Sequence, residues 1–280
     1  MVCAFKGWND AGDAASSAVS FLASTLGARR FAHLDSEEFY DFQANRPCIR
    51  LGDPDGNGGE AAAREISWPT VEIFEAPAPR APRDLVLVQG VEPSMRWRTL
   101  SANLIDLAEA LGVQLVVTLG ALLGDVPHTR PVAMTGHASD GALMERLGIQ
   151  PSSYEGPTGI VGVLHTACSQ AGLPSASLWA AVPHYVAAAS NPKAALALLR
   201  RVEGLIGVSV DVSELESAAT DYERQVGLAV QSDPEIQAFV ERLEQAADSE
   251  GDGDPAEVPS GDILAREFQR FLRQRGAEGK

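Results

Sequence analysis

The residues that could do chemistry fall in short loops directly after apolar runs. The run Leu115–Leu119 opens into Gly120–Pro131, which carries Asp125, His128, Thr129 and Arg130. Four other loops add Asn9 and Asp10 (Gly7–Asp13), Glu92 and Arg96 (Gly90–Trp97), Glu155 and Thr158 (Tyr154–Gly159), and His184 (Ala180–Tyr185). Carboxylates beside histidine support acid–base work or metal ligation, because imidazole titrates near neutral pH. No pair has diagnostic spacing: there is no H-E-x-x-H and no G-x-S-x-G, and no metal site is assigned. Gly7…Gly12 lacks both the G-x-G-x-x-G and the Walker patterns, and two aspartates at a helix start repel an anion, so this loop reads better as a helix cap than as a nucleotide cradle. Gly156-Pro157-Thr158-Gly159 is the best small-anion candidate, since backbone N–H groups at a helix start need no side-chain help. Glu155 beside it favours a hydroxyl or cationic partner. For Asp125, His128 and Arg130 a ligand or catalytic role competes with an internal polar network that rigidifies the loop, as at a subunit contact. His184, between Pro183 and Tyr185, reads more readily as a satisfied structural histidine.

These loops need a sheet to gather them. Val2–Phe5, Leu85–Gln89, Leu115–Leu119 and Ala176–Val182 are short and almost wholly apolar, the mark of strands buried on both faces, and parallel sheets bind ligands beyond the carboxyl ends of such strands. The five loops are therefore expected at one edge. Helical spacing predicts helices from Ala14, over Arg98–Leu111, Ser139–Leu147 (stopped by Gly148) and Ile160–Ala171, and over Ala194–Gly204 with Asn191 as N-cap and Pro192 at its first position. Gly52–Glu60 reads as a solvated hairpin tip and Pro77–Arg83 as a connector. The predicted fold class is α/β, a mostly parallel sheet flanked by helices with a small all-helical C-terminal extension. The divisions are a core at 1–207, a helical hairpin at 208–247, an acidic flexible linker at 248–262 and an amphipathic helix at 263–280. A strand beginning at residue 2 is abrupt, and predicts a longer natural N-terminus.

Composition narrows the function classes. The net charge of −16 argues against nucleic acid, which needs a basic surface. Residues 205–280 hold 17 Asp and Glu against 7 Lys and Arg, so −10 of that charge belongs to the tail. No apolar segment reaches the ~20 residues of a membrane span, and no signal peptide is evident, so a cytoplasmic protein is expected. Cys3, Cys48 and Cys168 are widely spaced and read as buried free thiols, and no cofactor is implied.

GWNDAGDAA (7–15), GVEPSMRW (90–97), GALLGDVPHTRP (120–131), YEGPTGI (154–160), WAAVPHY (179–185) and NPKAALALLRRVE (191–203) together resemble the proteasome assembly chaperone 2 family, in its actinobacterial branch. The resemblance runs through almost the whole chain. It implies a phosphorylase/hydrolase-like α/β domain, a helical C-terminal region and a homo-oligomer, with a trimer expected from the family pattern. It implies a protein-binding scaffold or assembly factor, with proteasome subunits or other proteins as partners and no settled reaction. Archaeal relatives bind through a C-terminal hydrophobic-Tyr-X signature. This chain ends Ala277-Glu278-Gly279-Lys280, which does not predict docking by that route. The alternative left open by the residues is a small-ligand binder, or a hydrolase or transferase, using the crevice.

Overall fold

In a computed structural model, residues 1–51, 64–79, 81–186 and 189–250 are described. The strands are β1 (Val2–Lys6), β2 (Arg29–His33), β3 (Cys48–Leu51), β4 (Arg64–Ser67), β5 (Val71–Ala76), β6 (Leu85–Val91), β7 (Val116–Gly124), β8 (Met134–Ala138), β9 (Gln150–Pro151) and β10 (Ser175–Pro183). The helices are α1 (Ala14–Thr25), α2 (Ser36–Phe39), α3 (Trp97–Ala110), α4 (Gly141–Leu147), α5 (Ile160–Gln170), α6 (Pro192–Ile206), α7 (Ser213–Gln231) and α8 (Pro234–Glu250).

Eight strands form one sheet in the order β2-β5-β6-β1-β7-β10-β8-β9. The central four, β6, β1, β7 and β10, are parallel. The flanks are mixed: β5 and β2 run antiparallel on one side, and β8 runs antiparallel to β10 on the other. The apolar runs arise because both faces are covered. Val2 and Ala4 of β1 pack into the cluster that also holds α1 and α6, whereas Cys3 and Phe5 pack into the cluster that holds α3 and α5. Cys3 and Cys168 are buried as expected, and burial pushes the Cys3 thiol up to about 12. Cys48 is exposed, because it lies on a ribbon outside the main sheet.

Three boundaries differ from the sequence reading. Gly120–Gly124, read as loop, continues β7, because β10 pairs with it over the full stretch from Val116 to Gly124. The cross-strand hydrogen bonds outlast the apolar pattern, and the loop begins at Asp125. Cys48–Leu51 and Arg64–Ser67, to which the sequence pattern assigned no strands, pair as an antiparallel ribbon on either side of the proposed hairpin tip, and the tip itself at 52–60 lies outside the described residues. Helix α8 runs to Glu250, past the boundary at 247; the linker beyond it and the helix at 263–280 lie outside the described residues. The helix caps match the reading: Asn191 accepts from Ala194 N–H at 2.9 Å, and Gly148 closes α4 with a φ of 57°.

At the β6 carboxyl end Gly90 is pressed against the chain entering β5. A Cβ there would lie 2.1 Å from the Thr70 carbonyl oxygen and 2.7 Å from Val71 Cα, both backbone atoms that cannot step aside. Gly90→Ala is therefore expected to lose ~1–3 kcal/mol of stability, read as a lowered urea midpoint at unchanged slope.

Candidate functional site

Because β6, β1, β7 and β10 are parallel, their carboxyl ends meet along one edge, and the polar residues there sort into two networks. The first centres on Asn9, which is buried. Its side-chain amide donates to Glu92 Oε1 at 2.5 Å, and its backbone carbonyl accepts from Ala121 N–H at 2.7 Å. The same Glu92 oxygen accepts from Ile160 N–H at 2.8 Å, the first residue of α5. Asn9 approaches so closely that a Cβ on Gly159 would lie 2.2 Å from Asn9 Oδ1, so only glycine fits at this N-cap. The helix start read as an anion cradle thus holds an internal carboxylate, which suits the positive end of the helix dipole. Asp10 caps α1 across a single 3-10 turn, accepting from Ala15 N–H at 2.7 Å and Ser16 N–H at 3.1 Å. Burial raises its carboxyl above the ordinary value, while the Ser16 and Ala15 hydrogen bonds oppose the rise.

The second network joins the loop after β7 to the C-terminal helices. Lys193, in the first turn of α6, donates to the carbonyls of His128 at 2.6 Å and Arg130 at 2.7 Å and also to Glu223 on α7. Arg130 forms a fork on Asp248 of α8, both bonds at 2.7 Å, and Thr129 donates to Glu244. Asn191 donates to Tyr222 Oη of α7 at 3.1 Å. His184 Nδ1 lies 2.9 Å from Asp125 Oδ1 without hydrogen-bond alignment, and its ring meets Phe239 of α8 edge-on at 5.4 Å.

His128 is almost fully buried. Its backbone N–H donates to Tyr185 Oη and its Nδ1 sits against the same oxygen, both at 2.8 Å. The Tyr185 hydroxyl thus accepts the backbone N–H and hydrogen-bonds the ring from the same oxygen. Nε2 is buried with no partner among the described residues and lies near Gly227 of α7. Burial pulls the His128 pKa below its ordinary value and the Lys193 ammonium adds to this, with Glu223 and Glu244 opposing.

Of the sequence candidates, Asn9 and Glu92 meet directly, Asp10 adjoins them in the chain, and Asp125, His128, Arg130 and His184 join the α7–α8 anchor. Arg96 instead turns outward to pair with Glu38, and Glu155 and Thr158 are exposed on their loop. Lys193, Tyr185, Tyr222, Glu223, Glu244 and Asp248 were missed. Lys193 had one signal: it is one of only three lysines in the chain. The crevice lined by His128, Arg130, Asn191, Lys193 and Tyr222 encloses about 10 Å³, room for one water. Among the described residues no group of three His, Cys, Asp or Glu is placed to hold a metal, and no helix is long and apolar enough to cross a membrane.

The sequence model of the PAC2 family matches residues 4–230. The chain belongs to the PAC2 family. Solved PAC2-type structures agree: a proteasome-assembly chaperone homologue of Mycobacterium tuberculosis is 46% identical over 85% of this chain and 98% of its own, with a TM-score of 0.77. A PAC2 family protein of Streptomyces avermitilis is 51% identical over 86% of this chain and 98% of its own, again at 0.77. PbaB of Pyrococcus furiosus, an archaeal proteasome activator, is 18% identical over 81% of this chain and 92% of its own, and shares the fold at a TM-score of 0.62. No curated protein matches the chain. The actinobacterial resemblance read from the motifs is thus borne out, and the C-terminal helices belong to the shared fold.

Two predictions follow from this PAC2 anchor. Lys193→Met leaves two loop carbonyls and Glu223 without their cation. It is expected to cost ~2–4 kcal/mol, with faster amide exchange confined to α7, α8 and the 125–131 loop. His128 and His165 are both held neutral by burial, and His165 is lowered to about 4. Below pH ~6.5 the unfolded chain binds protons that these folded imidazoles refuse, so their contribution to stability is lost as the pH falls towards 4. Urea titrations between pH ~7 and ~5 should show a shallower loss in the His128→Asn, His165→Asn double variant than in the parent.

Proposed function

We propose that this PAC2 protein is a cytoplasmic, homo-oligomeric protein-binding scaffold or assembly factor, with proteasome subunits as the partner class and α7–α8 as a contact region. One observation carries the reading. The polar residues at the carboxyl edge of the sheet, where an α/β enzyme would keep its chemistry, are spent on internal work: Glu92 holds α5, and Lys193 and Arg130 hold α7 and α8. The hollow lined by His128, Lys193 and Tyr222 between the 125–131 loop and α6–α7 has room for about one water. The homologue of Mycobacterium tuberculosis, described as a proteasome-assembly chaperone homologue, supports the same reading.

Purified proteasome subunits are expected to be retained by the full chain immobilised on a column. Asp125→Asn is expected to leave that capture unchanged. A thermal-shift screen over nucleosides, nucleotides, amino acids and divalent metals should stay flat, since a bound ligand at 100 times its Kd would add ~2.7 kcal/mol. A shift that Asn9→Ala abolishes, together with no subunit capture, would replace the scaffold by a small-ligand enzyme or binder at the Asn9–Glu92 end of the edge.

A further inference from the structure

His128 sits where the α/β body meets the helical arm, and a charge on its ring has no counter-ion free to receive it. The residue is 4% exposed. Nδ1 lies against the Tyr185 hydroxyl, and Nε2 has no partner among the described residues. On α7 the neighbour of Nε2 is Gly227, where an added Cβ would lie 3.7 Å from it. The charged groups around the ring are the Lys193 ammonium of α6, Glu223 of α7 and Glu244 of α8. Both carboxylates already accept from other donors, Glu223 from Lys193 and Glu244 from Thr129. Tyr222 of α7 lines the same small hollow, but its hydroxyl oxygen accepts from Asn191 at 3.1 Å. A second proton on the ring therefore places a cation beside an ammonium, with no acceptor for its second N–H.

Helix α7 is held differently along its length. Its first half belongs to the main core: Leu215 packs into the cluster that holds α1 and α6, and Glu216 accepts from Arg200 of α6 at 2.6 Å. Its second half shares with α8 a small separate cluster, Tyr222, Val226, Val230 and Val240, which meets the body at Tyr185 and Val186. The ties of α8 to the 125–131 loop, Arg130 to Asp248 and Thr129 to Glu244, are open to water, where ion pairs contribute little. Gly227 lies in this second half, and a glycine inside a helix weakens it.

We propose that protonation of His128 releases the outer arm, α7 from Tyr222 onward together with α8, from the α/β body, while the first half of α7 stays docked on α6. With the arm away, water reaches Nε2 and solvates the charge. Burial, aided by the Lys193 ammonium, holds the imidazole below its ordinary pKa in the closed form. The neutral ring thus supports closure fully above pH ~6.5, and that support is lost as the pH falls through this value towards the lower one. His184 also adjoins the arm, through Phe239, but it has Asp125 at 2.9 Å to answer a charge, so its protonation does not drive release. The switch is a property of the fold, and stands whether or not the arm is the contact region for a partner.

Amide hydrogen exchange of the full chain, at pH ~7.5 and ~5.5 and corrected for the intrinsic effect of pH, tests this, because histidines titrate between those values and ordinary carboxylates do not. Residues 222–250 are expected to lose protection at least ~10-fold at the lower pH, with α6 and the four central strands unchanged. His128→Asn is expected to abolish this step. His165→Asn, which removes the other histidine held neutral by burial, and His184→Gln are expected to keep it. An arm equally protected at both pH values, a loss spread over the central strands, or a step that survives in His128→Asn would each overturn the proposal. Where His128→Asn leaves the arm unprotected at both values, the other two variants decide: a step retained in both assigns it to His128, and a step lost in either overturns the assignment.

Discussion

One ammonium group organises the functional edge of this protein. Lys193 Nζ spends its three protons on the carbonyls of His128 and Arg130 and on Glu223, which fixes the loop after β7 to α6 and α7 at once. A partly buried ammonium is best tolerated when every donor is used and a carboxylate answers the charge. With the loop fixed, Arg130 can present its fork to Asp248, and Tyr185 can serve His128 from both sides. The small C-terminal core of Tyr222, Val226, Val230 and Val240 then closes against Tyr185 and Val186.

The two networks along the edge divide the labour. Asn9 and Glu92 tie β1, β6 and α5 together inside the α/β body, whereas Lys193 and Arg130 tie the body to its helical extension. Both place charged groups where an α/β enzyme would expose them to substrate, and both satisfy them with backbone partners or with the opposite charge. The exceptions are few: Asn9 Oδ1, Asp10 Oδ2, His128 Nε2 and His184 Nδ1 are buried without hydrogen-bond partners among the described residues. Each lies against one of these anchors, where tight packing has taken precedence over a complete set of hydrogen bonds.

The sheet was legible because burial on both faces writes itself into sequence as unbroken apolar runs, and Val2–Phe5 and Leu85–Gln89 needed nothing else. The helix caps at Asn191 and Gly148 were legible for a similar reason, since a local geometry demands a particular residue type. The ribbon was not. Ile49, Leu51 and Ile66 alternate with polar residues over only four positions, too short a pattern to register, and no core supplies the context. The site was half legible. Five loops could be assigned to one edge from the order of the strands, but a loop position does not say whom a side chain faces. Asp125 and His128 lie three residues apart in one loop, yet Asp125 faces His184 and His128 faces Tyr185.

What separates a crevice that could bind from one that cannot is the number of polar groups left over once the fold has taken its share. Lys193 takes a large part of that share here, and it was invisible because two of its three partners are backbone carbonyls. Sequence motifs record side-chain types, and a carbonyl belongs to every residue. The family resemblance carried the information that spacing could not: NPKAALALLRRVE keeps Asn191 and Lys193 together, the cap of α6 and the cation of the anchor, on one turn of helix. Read physically, that motif is a device for joining an α/β body to a helical arm. The chemistry-like residues of the neighbouring loop follow from the need to receive it.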